Sequence, residues 1–220
     1  RYFGAIPRNP TAVRRPSVTP VTRNSDTVLV LEDKVQLPRV YYAWPSVPAF
    51  HPDEAALDLL AAILASGRSS RLQQRLVYGA QLAQDVFSYH DAAKLAGTFN
   101  LVATPRPGHR PQEIAAVLTE ELRRVASEPV TERELERAKN QYRASFLDRL
   151  ASVLGKAEQL NLYNYFVGEP DYLRQDAARY DAVTRDDLLR VAQTYLGRGK
   201  VVLTVVPEGQ TALALTGASR

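Results

Sequence analysis

The run Val201-Val-Leu-Thr-Val-Val206 reads as a β-strand, and it stands at the far end of the chain from every other strand-like run. Those others are Thr27-Val-Leu-Val-Leu31, Arg39-Val-Tyr-Tyr-Ala-Trp44, about Leu82–His90 and about Ala96–Thr104. Between Thr104 and Val201 the pattern is mainly helical. Strands at both ends with helices between argue an α+β class: one mostly antiparallel sheet with helices packed on one face. At 220 residues the chain makes one large domain or two small ones, with ample length to bury a core.

The helix from about Pro52 to Leu64 is apolar almost all round (Ala55, Ala56, Leu57, Leu59, Leu60, Ile63, Leu64), which implies burial on several sides. A break at Ser66-Gly67 follows, then a second helix that Ser69 or Ser70 can cap through its hydroxyl. Leu72, Leu76 and Val77 share one face of it, and Gly79 ends it before the strand from Leu82. Pro45 and Pro48 are expected to end the second strand, because proline cannot donate to a ladder. The run Pro105-Arg-Pro-Gly108 breaks the chain after the fourth strand.

Gln112–Ala126 places Ile114, Val117, Leu118, Leu122 and Val125 on one helical face. Thr131-Glu-Arg-Glu134 is a capping box opening a long helix, whose expected apolar face is Leu135, Ala138, Tyr142, Leu147 and Leu150. Further helices are expected from about Ser152 to Phe166, after a cap at Asp171, and over Arg185–Leu196 with Thr184 as cap. Residues 1–25, with Pro7, Pro10, Pro16 and Pro20, read as an interdomain linker, 26–207 as the domain and 208–220 as a flexible tail.

Composition excludes several function classes. There are no cysteines, so disulfides and thiolate metal sites are out. No apolar run approaches the ~18 residues of a membrane span. The net charge of +4 and pI near 9.4 do not amount to a nucleic-acid surface. Arg8, Arg14, Arg15 and Arg23 sit in the linker, and the other arginines are spread beside Glu and Asp with no interleaved aromatics. Arg1 is not a natural start, so the chain is expected to be cut from a longer precursor.

Six short pieces in order carry a resemblance. They are Tyr2-Phe-Gly-Ala-Ile-Pro7, Gln36-Leu-Pro-Arg-Val-Tyr41, His51-Pro-Asp-Glu-Ala-Ala-Leu-Asp58, Ser69-Ser-Arg-Leu72, Thr131-Glu-Arg-Glu-Leu-Glu-Arg-Ala-Lys-Asn140 and Asp181-Ala-Val-Thr184. Together they resemble the pitrilysin/insulinase superfamily of zinc peptidases, M16, and within it the non-catalytic C-terminal domain. The resemblance implies a layered α+β domain, one quarter of a clamshell chamber that closes around a peptide. The implied partners are a catalytic M16 domain, in the same chain or a paired subunit, and a peptide substrate; nucleic acid is not among them.

Active members bind zinc with a His-x-x-Glu-His helix, two histidines one turn apart sharing the metal. Here His51, His90 and His109 are isolated from one another, so no zinc is expected in this chain, only in the catalytic domain of its parent. Ser69 and Ser70 lack a nearby His or a Gly-x-Ser-x-Gly elbow. Gly155-Lys156 lacks a phosphate loop, and Asp186-Asp187 suits the first turn of a helix. No catalytic residue is therefore expected.

The resemblance does imply one contribution to substrate. Relatives' non-catalytic domains donate an Arg and, seven positions later, a Tyr toward the substrate carbonyl, both able to hydrogen-bond a developing oxyanion. The matching positions here are Val77 and Gln84, both departures. Val77 has no donor, while Gln84 keeps an amide and Arg71 or Arg75 can substitute from the same helix. Arg71, Arg75 and Gln84 are thus the candidate substrate-binding residues. The alternative is a scaffold or assembly module of the same fold with no role in peptide cleavage.

Overall fold

The structure is a computed structural model, and it describes residues 4–7, 11 and 21–216. Strands β1 (Thr27–Asp33), β2 (Arg39–Ser46), β3 (Ala83–Ala92), β4 (Gly97–Pro105) and β5 (Val201–Pro207) form one sheet in the order β1-β5-β2-β4-β3. Only β1 and β5 run parallel, with Thr27 opposite Val201 and Asp33 opposite Pro207. The other three pairings are antiparallel. The closing strand is therefore interior, and it joins β1 to the remaining strands.

Helices α1 (Glu54–Ala65), α2 (Pro111–Ser127), α3 (Glu132–Arg149), α4 (Val153–Phe166), α5 (Leu173–Ala182) and α6 (Arg185–Tyr195) accompany the sheet. The core lies between one sheet face and α1, α2 and α6, around Trp44, Phe99, Leu57, Leu60, Ile114, Leu188 and Val191. Trp44 stacks on Tyr42 at 5.9 Å and meets the edge of Phe99 at 6.2 Å, arrangements that suit the ring quadrupoles. Helix α1 is buried on several sides, as its composition requires. The capping boxes at Thr131 and Thr184 are both formed.

Four local expectations need correction. Pro45 does not end β2 but pairs opposite Thr98. The ladder to β5 stops at Ala43, so one side of the strand is open where the missing N–H would fall. On α3 it is Phe146, not Leu147, that turns inward, since Phe146 stacks on Tyr142 while Leu147 is 67% exposed. Asp171 does not cap α5; its N-cap is Tyr172, with no side-chain bond. The tail does not begin at 208: a 3₁₀ turn covers Thr211–Leu213, and buried Leu215 donates its N–H to Thr204 Oγ1 at 3.1 Å. Residues 217–220 and most of the expected linker, with Pro10, Pro16 and Pro20, lie outside the described residues.

At the α3–α4 corner Ser152 Oγ accepts the N–H of Gly155 at 2.9 Å. A Cβ at Gly155 would stand 1.9 Å from the Arg149 carbonyl oxygen, so only glycine lets the two segments approach. Gly155→Ala is expected to destabilise by about 1–3 kcal/mol, the range for overpacking. Calorimetry should show a Tm lower by about 2–12 °C for a chain of this size.

Candidate functional site

The stretch between α1 and β3 is built from a left-handed turn and a widened helix. Gly67 takes φ +77°, which reverses the chain cheaply after α1. Ser70 is fully buried and its hydroxyl donates back to the Gly67 carbonyl at 2.7 Å, locking the elbow rather than capping the next helix. After Arg71-Leu72 the helix opens into π geometry over Gln73–Gly79, where Ala80 N–H bonds the Arg75 carbonyl five residues back at 3.0 Å. Leu76 is buried beneath it; Arg71 reaches both α2 and α3, and Arg75 reaches α2.

Arg71 forks onto Glu134, with Nε 2.6 Å from Oε1 and Nη2 2.9 Å from Oε2, and its Nη1 donates to Glu121 Oε1 at 3.0 Å. Arg75 donates to the other oxygen of Glu121 at 3.0 Å and also pairs with Glu120. Glu121 is 1% exposed, a carboxylate in the core-facing stripe of α2. Glu134 also accepts the N–H of Thr131 at 2.8 Å. Burial alone would raise its pKa, but the bonds from Arg71 and Thr131 outweigh it and hold the carboxyl down at about 2.

Of the three sequence candidates, Arg71 and Arg75 are thus drawn together into one internal ion-pair network. Gln84 is not part of it. A register shift between Ala83 and Asp85 leaves Gln84 unpaired at a β-bulge, exposed, with no side-chain partner among the described residues. Val77 is half-buried against the core. Arg106 ties the two ends together, donating to the carbonyls of Val77 at 3.3 Å and Ala83 at 3.2 Å.

A second constellation joins α1, β2, β3 and α5, with little local signal in residue type. Asp58 accepts the Tyr180 hydroxyl at 2.5 Å and bonds His90 Nδ1 at 2.9 Å, while His90 Nε2 meets Ser46 Oγ at 2.9 Å. Burial, reinforced by the Asp58 charge, raises the Tyr180 pKa, so that group remains an O–H donor. Next to it Arg179 bridges Glu54 and Asp176, and Asp176 accepts the buried Tyr163 hydroxyl at 2.8 Å. Asp58, His90, Tyr180, Glu54, Arg179 and Asp176 line a cavity of about 800 Å³ that also borders α4.

The residues present do not fit a zinc ion. His51 Nδ1 accepts the Asp53 N–H at 3.1 Å, His90 is held by Asp58 and Ser46, and His109 Nδ1 pairs with Glu113 at 3.2 Å. Among the described residues no three His, Cys, Asp or Glu side chains converge as metal ligands would. Among the described residues no helix is long and apolar enough to cross a membrane.

Sequence reasoning missed Glu121, and a signal was available. Ile114, Leu118, Glu121 and Val125 follow helical spacing, so a carboxylate sits inside an apolar stripe. Nothing comparable marks Asp58, His90 and Tyr180, whose meeting depends on three separate elements.

Comparison with known proteins agrees with this architecture. The family described as the Peptidase M16 inactive domain matches residues 1–142. The zinc protease PqqE of Helicobacter pylori is 31% identical over 173 residues, covering 77% of this chain and 38% of that protein. The crystal structure of a protease from Helicobacter pylori superposes with a TM-score of 0.82 at 23% identity, over 90% of this chain and 48% of that one. The M16 inactive domain from Pseudomonas fluorescens superposes with a TM-score of 0.74 at 20% identity, over 90% and 47%. The chain spans less than half the length of these relatives. The chain belongs to the M16 peptidase family, as a non-catalytic domain of a zinc protease family member.

Proposed function

We propose that this domain packs against a catalytic M16 domain and forms part of the wall enclosing a peptide during proteolysis. The observation that carries this reading is the match to the M16 inactive domain, in a chain that spans 38% of the zinc protease PqqE of Helicobacter pylori. The zinc would belong to the catalytic domain. On this reading residues 1–25 link the two domains and the domain from residue 26 onward forms the wall.

Any direct contact with the reacting carbonyl comes from the Ser69–Gln84 segment. Gln84 is the best placed of the three candidates, because its amide is exposed and uncommitted, whereas Arg71 and Arg75 are engaged with Glu121, Glu134 and Glu120. That engagement favours the scaffold alternative in one respect: two of the three donors already serve the fold.

Peptide turnover by the complete polypeptide tests the segment. Gln84→Ala is expected to lower kcat/KM, and Val77→Arg with Gln84→Tyr to raise it. One oxyanion donor is worth about 2.7–4 kcal/mol in a favourable geometry, which bounds the gain at roughly 10²–10³-fold. Wild-type turnover in both variants would make the segment purely architectural.

A further inference from the structure

The large cavity opens beside an unpaired sheet edge, and its charge runs against that of the chain. β3 is an outer strand of the sheet. The Val86 carbonyl accepts Gln73 Nε2 at 2.7 Å, so it points away from β4, and Ser88, His90 and Ala92 share its register. Ser88, Tyr89, His90 and Ala92 all line the cavity. None of the residues of β1, the other sheet edge, does so.

Two contacts delimit this stretch. Gln73 occupies the edge at Val86, and at the far end Lys94 sits 3.7 Å from the Tyr165 ring, tying the hairpin tip to α4. Between them the outward N–H and C=O groups of three alternate residues face the groove. An extended partner of about five residues, roughly 17 Å, spans that length.

The opposite wall is α4, whose Leu154 and Leu162 are 67% and 40% exposed where they line the groove. On a chain of net charge +4, the lining carries five carboxylates against two guanidiniums. Glu54, Asp58 and Asp176 on the floor are engaged with Arg179, His90 and tyrosines. Asp148, in the last turn of α3, and Glu158, on α4, have no side-chain partner among the described residues. Arg149, the cation beside them, stands over the Phe146 ring at 5.6 Å.

We propose that this groove binds an extended peptide carrying a basic side chain. The peptide main chain adds to β3 along Ser88–Ala92, its apolar side chains rest on Leu154 and Leu162, and an arginine or lysine is held by Asp148 and Glu158. Strand addition gives affinity through backbone hydrogen bonds, and the facing pockets give side-chain preference. The proposal rests on the reading of the domain as a wall around a peptide, and gives that wall a sequence preference.

The test uses fluorescein-labelled decapeptides of alternating threonine and valine with one central arginine, or citrulline in its place. Binding to the complete polypeptide is followed by anisotropy at low salt, with turnover stopped by a metal chelator. The arginine peptide is expected to bind roughly tenfold tighter, a preference that shrinks as salt screens the carboxylates. N-methylation of alternate peptide nitrogens should abolish binding. Asp148→Asn with Glu158→Gln should bring the arginine and citrulline peptides to equal affinity while leaving citrulline binding intact.

Equal wild-type affinities, discrimination that survives the double variant, or indifference to N-methylation would each overturn the proposal. So would a self-associated state seen in sedimentation and lost in Leu154→Asp, which would assign the groove to a second copy. Unchelated turnover separates this proposal from the reading beneath it. Arginine-peptide cleavage unchanged in the double variant leaves the wall standing and removes the groove. Selective binding with no cleavage of any peptide keeps the groove and removes the proteolytic role.

Discussion

Arg71→Leu is expected to destabilise the domain by about 3 kcal/mol, the scale for removing one partner of a buried ion pair. Glu121, 1% exposed, would keep only Arg75 and a longer contact to Arg124 at 3.7 Å. Glu134 would lose both arms of its fork. Urea unfolding should show a lower midpoint, and thermal unfolding a Tm fall of about 6–12 °C. Adding Glu121→Leu should recover part of the loss, because an apolar side chain there carries no uncompensated charge.

The same site predicts an acid signature. The Glu134 pKa is depressed from 4.5 to about 2 in the folded protein. Its stabilisation is therefore complete above about pH 4.5 and is lost as pH falls toward about 2. With solvent screening this contribution is about 1–2 kcal/mol, and in Arg71→Leu most of it should disappear.

Arg179→Leu should cost a similar or larger amount, about 3–4 kcal/mol. Arg179 neutralises Glu54 from α1 and Asp176 from its own helix, donates to the His51 carbonyl at 3.2 Å, and lies 5.1 Å from the Phe50 ring. Its loss leaves two buried carboxylates at the floor of the cavity. The pH response should have the opposite sign to that of Glu134. Burial, only partly offset by Arg179, already raises the Glu54 pKa. Without the guanidinium it rises further, so protonation favours the folded state. The deficit should narrow as pH falls from 7 toward 5. A deficit that stays constant over that interval would show that the carboxylates are not desolvated.

The sheet and its helices were legible in the sequence because local chemistry and fold agree there. Thr131 with Glu134 and Thr184 with Asp187 specify their caps locally, and the apolar face of α6 follows simple periodicity. What sequence could not settle is decided by long-range neighbours. Leu147 and Phe146 are one position apart, and only the Tyr142 ring selects Phe146. The exposed apolar residues of α4, among them Val153, Leu154, Leu160 and Tyr165, carry no helical stripe turned to the sheet. The candidate donors illustrate the same limit. Arg71 and Arg75 read as available cations until Glu121 and Glu134, some fifty and sixty residues later, are brought against them. Gln84 stays free because a bulge, invisible in residue type, takes it out of the ladder.

The central claim is that this domain serves proteolysis as a non-catalytic wall. Turnover of a fluorogenic peptide by the complete polypeptide should be compared with turnover after deleting residues 1–220 of this chain, and again with the chain supplied in trans. The account predicts no turnover by the chain alone, a loss of at least roughly tenfold on deletion, as positioning effects of this kind reach 10²-fold, and recovery in trans. Undiminished turnover without the chain would contradict it and leave the domain a scaffold.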